Sequence, residues 1–138
     1  MPTITIIMPG PSDAAINKAR RCACAGRKPY SRPSDEHKRW MAEAIKRVRL
    51  TVEADEWQTC ETECHVEMHC VWPRVHRSGS SSGLALGDVD APVKSVLDAL
   101  TRGRAVWDDS LVTRVESVKR HALPDEQPKI IVTVETLP

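Results

Sequence analysis

At 138 residues the chain has room for one domain, and by the usual scaling such a domain buries about two thirds of the surface its unfolded chain exposes. A hydrophobic fraction of 41% beside 28% charged residues excludes wholesale disorder and a fibrous repeat, and no apolar run reaches the roughly 18 residues of a spanning helix. The net charge of +1 excludes a uniformly basic chain but hides an asymmetry: eleven cations between Lys18 and Arg49 stand against Asp35, Glu36 and Glu43, and the sign reverses from Glu53 to Glu67. That layout suits a polyanion on one face and carboxylates for metal elsewhere, although solvated helix faces explain the charges equally well. The opening MPTITIIMPGPSDAA has neither the basic segment nor the long apolar stretch of a secretion signal. The expected location is therefore the cytoplasm, where five cysteines are reduced thiols rather than a disulfide framework.

In chain order, Thr3 to Met8 is a β-branched run stopped by Pro9, Gly10 and Pro11, which predicts a strand. Residues 12–33 are rich in Lys, Arg, Gly and Pro without a steady period and read as a basic loop. Ser34 is an N-cap candidate ahead of Asp35 and Glu36, and Met41, Ala44, Ile45, Val48 and Val52 recur at helical spacing, predicting an amphipathic helix. Cys60, Cys64, Val66, Met68, Cys70 and Trp72 then alternate with Glu61, Glu63, His65, Glu67 and His69, the two-residue period of a half-buried strand ended by Pro73. Residues 74–87 include RSGSSSG, too polar to pack, and read as a flexible loop carrying Arg74, His76 and Arg77.

Beyond that loop, Val93, Val96, Leu97 and Leu100 predict a second helix behind Asp90, stopped at Gly103. Val112 to Lys119 and Lys129 to Thr136 predict two closing strands around a turn at Pro124, Asp125 and Glu126. The sum is one α+β domain over residues 1–138, with a mixed β-sheet of about four strands and two main helices, in the order strand, helix, strand, helix, strand, strand.

Chemistry concentrates around the second helix. Asp88 and Asp90 flank one residue just before it, so in an extended approach both carboxylates point the same way, and paired oxygen ligands favour Mg²⁺ or Mn²⁺. Lys94, one helical turn beyond Asp90, has the reach to meet a scissile phosphate, while Asp108 and Asp109 add carboxylates just after the helix. The bland alternative is a helix cap, a surface ion pair of Lys94 with Asp98, and a surface turn at the Asp-Asp pair. Arg74, His76 and Arg77, with Lys18, Arg20, Arg21, Arg27, Lys28 and Arg32 of the basic segment, are candidate phosphate contacts.

The stretch GDVDAPVKSVLDALTRGRAVWDDSLV resembles the core signature of RusA-type Holliday junction resolvases, in which D-x-D-N-x-x-K leads a helix ending in D-A-L and is followed by a W-x-D-D-like segment. The opening strand ending in Pro9-Gly10-Pro11-Ser12 resembles the family's start, and the element order agrees over most of the chain, with a loose alignment between Asp13 and Leu86. The resemblance implies metal ligation by Asp88, Asp90 and Asp109, with Asp108 the less certain of its pair, and a supporting catalytic role for Lys94. Two departures stand out: Ala91 occupies the position where the family commonly has asparagine, removing an amide near the metal, and one residue fewer separates Trp107 from the aspartates than in some relatives.

What the resemblance implies is a Mg²⁺-dependent endonuclease, Mn²⁺ substituting, that resolves Holliday junctions or related branched DNA such as flaps and forks by paired nicks. The carboxylate-held metal would lower the pKa of a water, polarise the phosphate and stabilise the leaving oxygen. A homodimer matches the approximate two-fold symmetry of a four-way junction, and the expected setting is the cytoplasm of a bacterium or phage-infected cell, with no membrane.

Two further sets of residues compete for a role. Cys60, Cys64, Cys70, His65 and His69 resemble soft metal ligands, but the alternation sends the thiols to one face and the histidines to the other, so core thiols and exposed histidines are expected, with a Cys22/Cys24 site as the minor alternative. Of the tryptophans, Trp72 and Trp107 are expected in the core, and Trp57 with Tyr30 are weaker candidates for base contact. The rival function is a non-catalytic, possibly zinc-assisted nucleic-acid-binding protein that keeps the fold without turnover.

Overall fold

The computed structural model describes residues 1–11, 20–23, 30–73 and 89–138, without the side chains of 20–23 and 30–32. The β-branched opening forms strand β1 (Thr3–Pro9), which buries Ile4, Ile6 and Met8 and exposes the residues between them. Ser34 caps helix α1 (Asp35–Ala54) by accepting from the His37 amide at 3.1 Å, and Asp35 and Glu36 sit at the positive end of its dipole. Its apolar face buries Met41, Ala44 and Val48, with Ile45 and Val52 packed against the same core. The Trp40 indole N–H donates to the Pro9 carbonyl at 3.1 Å, tying the helix to the end of β1.

Within the segment expected as a basic loop, β2 (Arg20–Ala23) and β3 (Tyr30–Pro33) form a separate antiparallel pair with Arg21 opposite Arg32. No apolar alternation in Arg20–Ala23 or Tyr30–Pro33 announces this pair, which forms its own two-stranded sheet. Residues 12–19, 24–29 and 74–88 lie outside the described residues, and the loop expected at 74–87 with them.

Strand β4 (Cys64–Trp72) follows the two-residue period, with Cys64, Val66, Met68, Cys70 and Trp72 buried and Glu67 and His69 exposed. Cys60 stands apart from it and bridges Val106 in parallel. Helix α2 (Val93–Arg102), strand β5 (Val112–His121) and strand β6 (Lys129–Thr136) complete the fold. The main sheet has the order β1-β6-β4-β5, antiparallel except for β4 against β5. A parallel pair cannot be closed by a tight turn, so the chain must cross over between them, and α2 lies in that crossover. The candidate residues Asp88 to Asp109 all fall within it.

Both helices contribute buried side chains to the core formed by β1, β4 and β6. Gly103 fixes their approach: a Cβ there would lie 2.3 Å from the Val48 side chain of α1. Gly103 keeps an ordinary helical backbone, so it is required by packing rather than by a left-handed turn, which falls instead on Arg104 at φ 69°. Among the described residues no helix is long and apolar enough to cross a membrane.

Candidate active site

Four short pieces of backbone set the site. The turn Val89 to Pro92 leads into α2, with the Val93 amide donating to the Asp90 carbonyl at 3.1 Å and the Ser117 hydroxyl of β5 donating to the Val89 carbonyl at 2.6 Å. The Asp90 residue is exposed, and α2 has Pro92 at its N-cap with no side-chain capping bond, so the helix-cap explanation for Asp90 is not what the structure holds. Ala91 is half-buried and packs against the core, using as a packing methyl the position where an amide was expected.

After α2 the Ala105 and Val106 side chains are buried, and the backbone is clamped to Cys60: its amide donates to the Ala105 carbonyl at 3.0 Å and its carbonyl accepts from Trp107 at 2.9 Å. This clamp delivers the chain to Asp108 and Asp109 in a fixed direction. Asp108 is extended, at φ −152° and ψ 143°, just before the chain turns into a 3₁₀ helix. Its carboxylate accepts from the Ser110 amide at 2.9 Å, capping the 3₁₀ turn Asp109–Leu111, and this bond holds it below the usual carboxylate range.

Asp109 instead meets Lys94. The Lys94 ammonium donates to Asp98 Oδ1 at 2.9 Å and to Asp109 Oδ2 at 3.4 Å, joining α2 to the turn that starts β5. These bonds, the one to Asp98 first, raise the Lys94 pKa above its ordinary value, so the side chain is charged throughout the neutral range. The surface pair with Asp98 thus exists, but the longer bond to Asp109 is the one that gathers two elements. The lysine is largely exposed and Asp109 half-exposed, which leaves room for a ligand against both.

The Lys94 ammonium therefore meets one carboxylate of its own helix, Asp98, and one from the turn that opens β5, Asp109. The donor set fits Mg²⁺ in kind, since Asp90 and Asp109 offer oxygen atoms only, but among the described residues no group of three or more acidic, His or Cys side chains converges on a common point. Asp88, the third expected ligand, lies outside the described residues, as do Lys18, Arg27, Lys28, Arg74, His76 and Arg77. Arg20, Arg21 and Arg32 belong to the β2–β3 pair.

A family model for the endodeoxyribonuclease RusA matches residues 9–135. The chain belongs to the RusA endodeoxyribonuclease family. The family comprises Holliday junction endonucleases, acts on branched DNA and generally depends on a divalent metal. A comparison with curated proteins returned no match.

The remaining candidates sort by burial. Cys64 and Cys70 are buried thiols on the core side of β4 and His65 and His69 take the other face, as the alternation predicted, while Cys60, also buried, precedes the strand. Burial pushes the Cys64 thiol up to about 12, helped by neighbouring Cys60, and Cys70 up to about 11, so both act as small apolar packing groups rather than thiolates. Trp72 is in the core as expected. Trp57 is half-buried with its indole N–H donating to the Ala105 carbonyl at 2.9 Å, which gives it a scaffold role. Trp107, expected in the core, is 57% exposed, because its segment runs past the end of α2 with only its backbone tied down.

Proposed function

We propose that this RusA-family chain is a Mg²⁺-dependent nuclease, with Mn²⁺ able to substitute, that resolves four-way DNA junctions by paired nicks and works as a homodimer. Flaps and forks present the same chemistry to the same residues. The observation that carries the reading is the Lys94–Asp109 contact at 3.4 Å, which joins the helix behind Asp90 to the turn after Trp107 with both groups open to solvent.

Asp90 and Asp109, together with Asp88, are the proposed metal ligands; the bound metal supplies Lewis acidity at the phosphate and a more acidic water. Lys94, charged at neutral pH, binds the scissile phosphate and opposes the negative charge that grows on it. Asp98 orients the lysine through their 2.9 Å bond. Asp108 keeps Ser110 and the turn in place and stays off the reacting atoms. Arg20, Arg21, Arg32, Lys18, Arg27 and Lys28, with Arg74, His76 and Arg77, are proposed backbone contacts, for which affinity should fall steeply from low to moderate salt. The proposed setting is the cytoplasm of a bacterium or phage-infected cell.

The deciding experiment is cleavage of a labelled four-way junction beside matched linear duplex, with Mg²⁺, with Mn²⁺ and with chelator, using the native chain and Asp90→Asn. Paired nicks that need metal and vanish in Asp90→Asn support the reading. Tight junction binding without a cut under any metal replaces it with a non-catalytic junction binder.

A further inference from the structure

Three features outside the proposed metal site converge on one short segment. Trp107 exposes 57% of its surface, whereas Trp40 and Trp72 are buried and Trp57 is half-buried. The Arg104 guanidinium lies over the Trp107 ring, 5.3 Å from its centroid. Arg104 itself holds a left-handed backbone at φ 69°, a conformation that is unfavourable for a non-glycine residue and that glycine would adopt freely. Neither the fold nor the metal site needs an arginine there. What the left-handed residue does supply is a cation stacked on an indole.

The backbone that presents this pair is fixed from several sides. The Thr59 hydroxyl donates to the Arg104 carbonyl at 2.8 Å, the Ala105 amide donates to the Leu100 carbonyl at 3.0 Å, and the Trp107 amide donates to the Cys60 carbonyl at 2.9 Å. Trp107 and Asp109 are separated by the single extended residue Asp108, which keeps their Cα atoms within about 7 Å of one another. The ring has one face under the Arg104 guanidinium and lies two residues from Asp109, so it can offer a flat apolar surface to a ligand held at the proposed site. The ligand with a matching face and negative charge next to it is a nucleobase still attached to its phosphate.

We propose that Trp107 and Arg104 form a stacking platform that receives an unpaired base at the branch point and so positions the strand against Asp109 and Lys94. In linear duplex every base is already stacked on its neighbours, so the platform finds a free face only where strands part. It is therefore a device for selecting branched over linear DNA, and it acts by positioning rather than by touching the reacting atoms. The inference rests on the nuclease reading for its purpose but not for its test.

The test uses the full chain and a four-way junction carrying 2-aminopurine at the branch point, in chelator so that no cutting intervenes. The native protein should quench the probe, Trp107→Phe should retain the quench, and Trp107→Ala should lose it with about tenfold weaker junction binding and unchanged affinity for linear duplex. Arg104→Gly should also weaken junction binding while melting at the native temperature or above, since the strained backbone is relieved. Native-like junction binding and quenching by Trp107→Ala overturns the proposal. So does an equal loss on junction and duplex, or a change in the protein's mass in solution, which would assign the ring to a protein contact.

A parallel cleavage assay with Mg²⁺ separates the two readings. A native chain that quenches but never nicks keeps the platform and loses the nuclease. A native chain that nicks, with Trp107→Ala nicking junction over duplex as before, keeps the nuclease and loses the platform. A native chain that binds no junction loses both.

Discussion

Two charged clusters lie at opposite ends of β5, and they are built on opposite plans. At its end, Glu126 in the β5–β6 turn is saturated: Arg120 donates to both of its oxygens at 2.6 and 2.7 Å, the Leu123 amide donates at 3.1 Å, and Lys129 sits 3.6 Å away. At its start, Asp109 has a 3.4 Å contact to a lysine whose shorter bond goes elsewhere. A carboxylate whose lone pairs are occupied by bidentate arginine and backbone is a structural clamp. One that leaves its oxygens open to water, beside a cation shared with a second element, is in a position to take a ligand.

The largest effect that would sharpen this contrast is on nicking by Asp109→Asn, expected to fall by about 100-fold or more, while Asp108→Asn, which keeps an acceptor for the Ser110 amide, stays within a few-fold of native. Equal losses in the two variants would erase the distinction drawn from their side-chain partners. Lys94→Met comes next: its nicking rate should drop by about tenfold or more with an unchanged melting temperature, because exposed pairs add little to stability. A melting temperature that falls in step with the rate would make Lys94 a clamp of the Glu126 kind.

Gly103→Ala should lower stability by about 1–3 kcal/mol in denaturant unfolding, since the new methyl meets Val48 and the helices must part. A neutral result would mean that the spacing of α1 and α2 is looser than the site requires. The smallest effect is at the saturated cluster. The Arg120 guanidinium holds the Glu126 carboxyl down at about 2, against an ordinary 4.5. A depressed carboxyl contributes stability above its unfolded value and loses it as pH falls toward the folded one, so Glu126→Gln should melt lower than native at pH 7, with the gap closing between pH 4.5 and 2. Nicking by this variant should be unchanged.

Much of the molecule was legible because period and punctuation are local. The strands at residues 3–9, 112–121 and 129–136, and both helices, fall where β-branched runs, the Ser34 cap and the apolar spacings put them. The β2–β3 pair was not legible, since Arg20–Ala23 and Tyr30–Pro33 show no apolar alternation and pair with each other rather than with the main sheet. Trp107 was misread for a related reason: residue type argues for the core, but exposure depends on where the neighbouring backbone is tied. The tie to Cys60 joins residues 47 positions apart, which no local pattern announces.

The sequence by itself determined which residue types surround α2, the order of the main sheet's strands and the two helices along the chain, and the family, because these are written in spacing along the chain. Tertiary structure alone decided which of two adjacent aspartates reaches Lys94, why Gly103 must lack a side chain, and that a tryptophan and an arginine stand out to solvent beside Asp109. The physical reason is that the course of the segment after α2 is set by its hydrogen bonds to Cys60, far away in the sequence, rather than by its own residues.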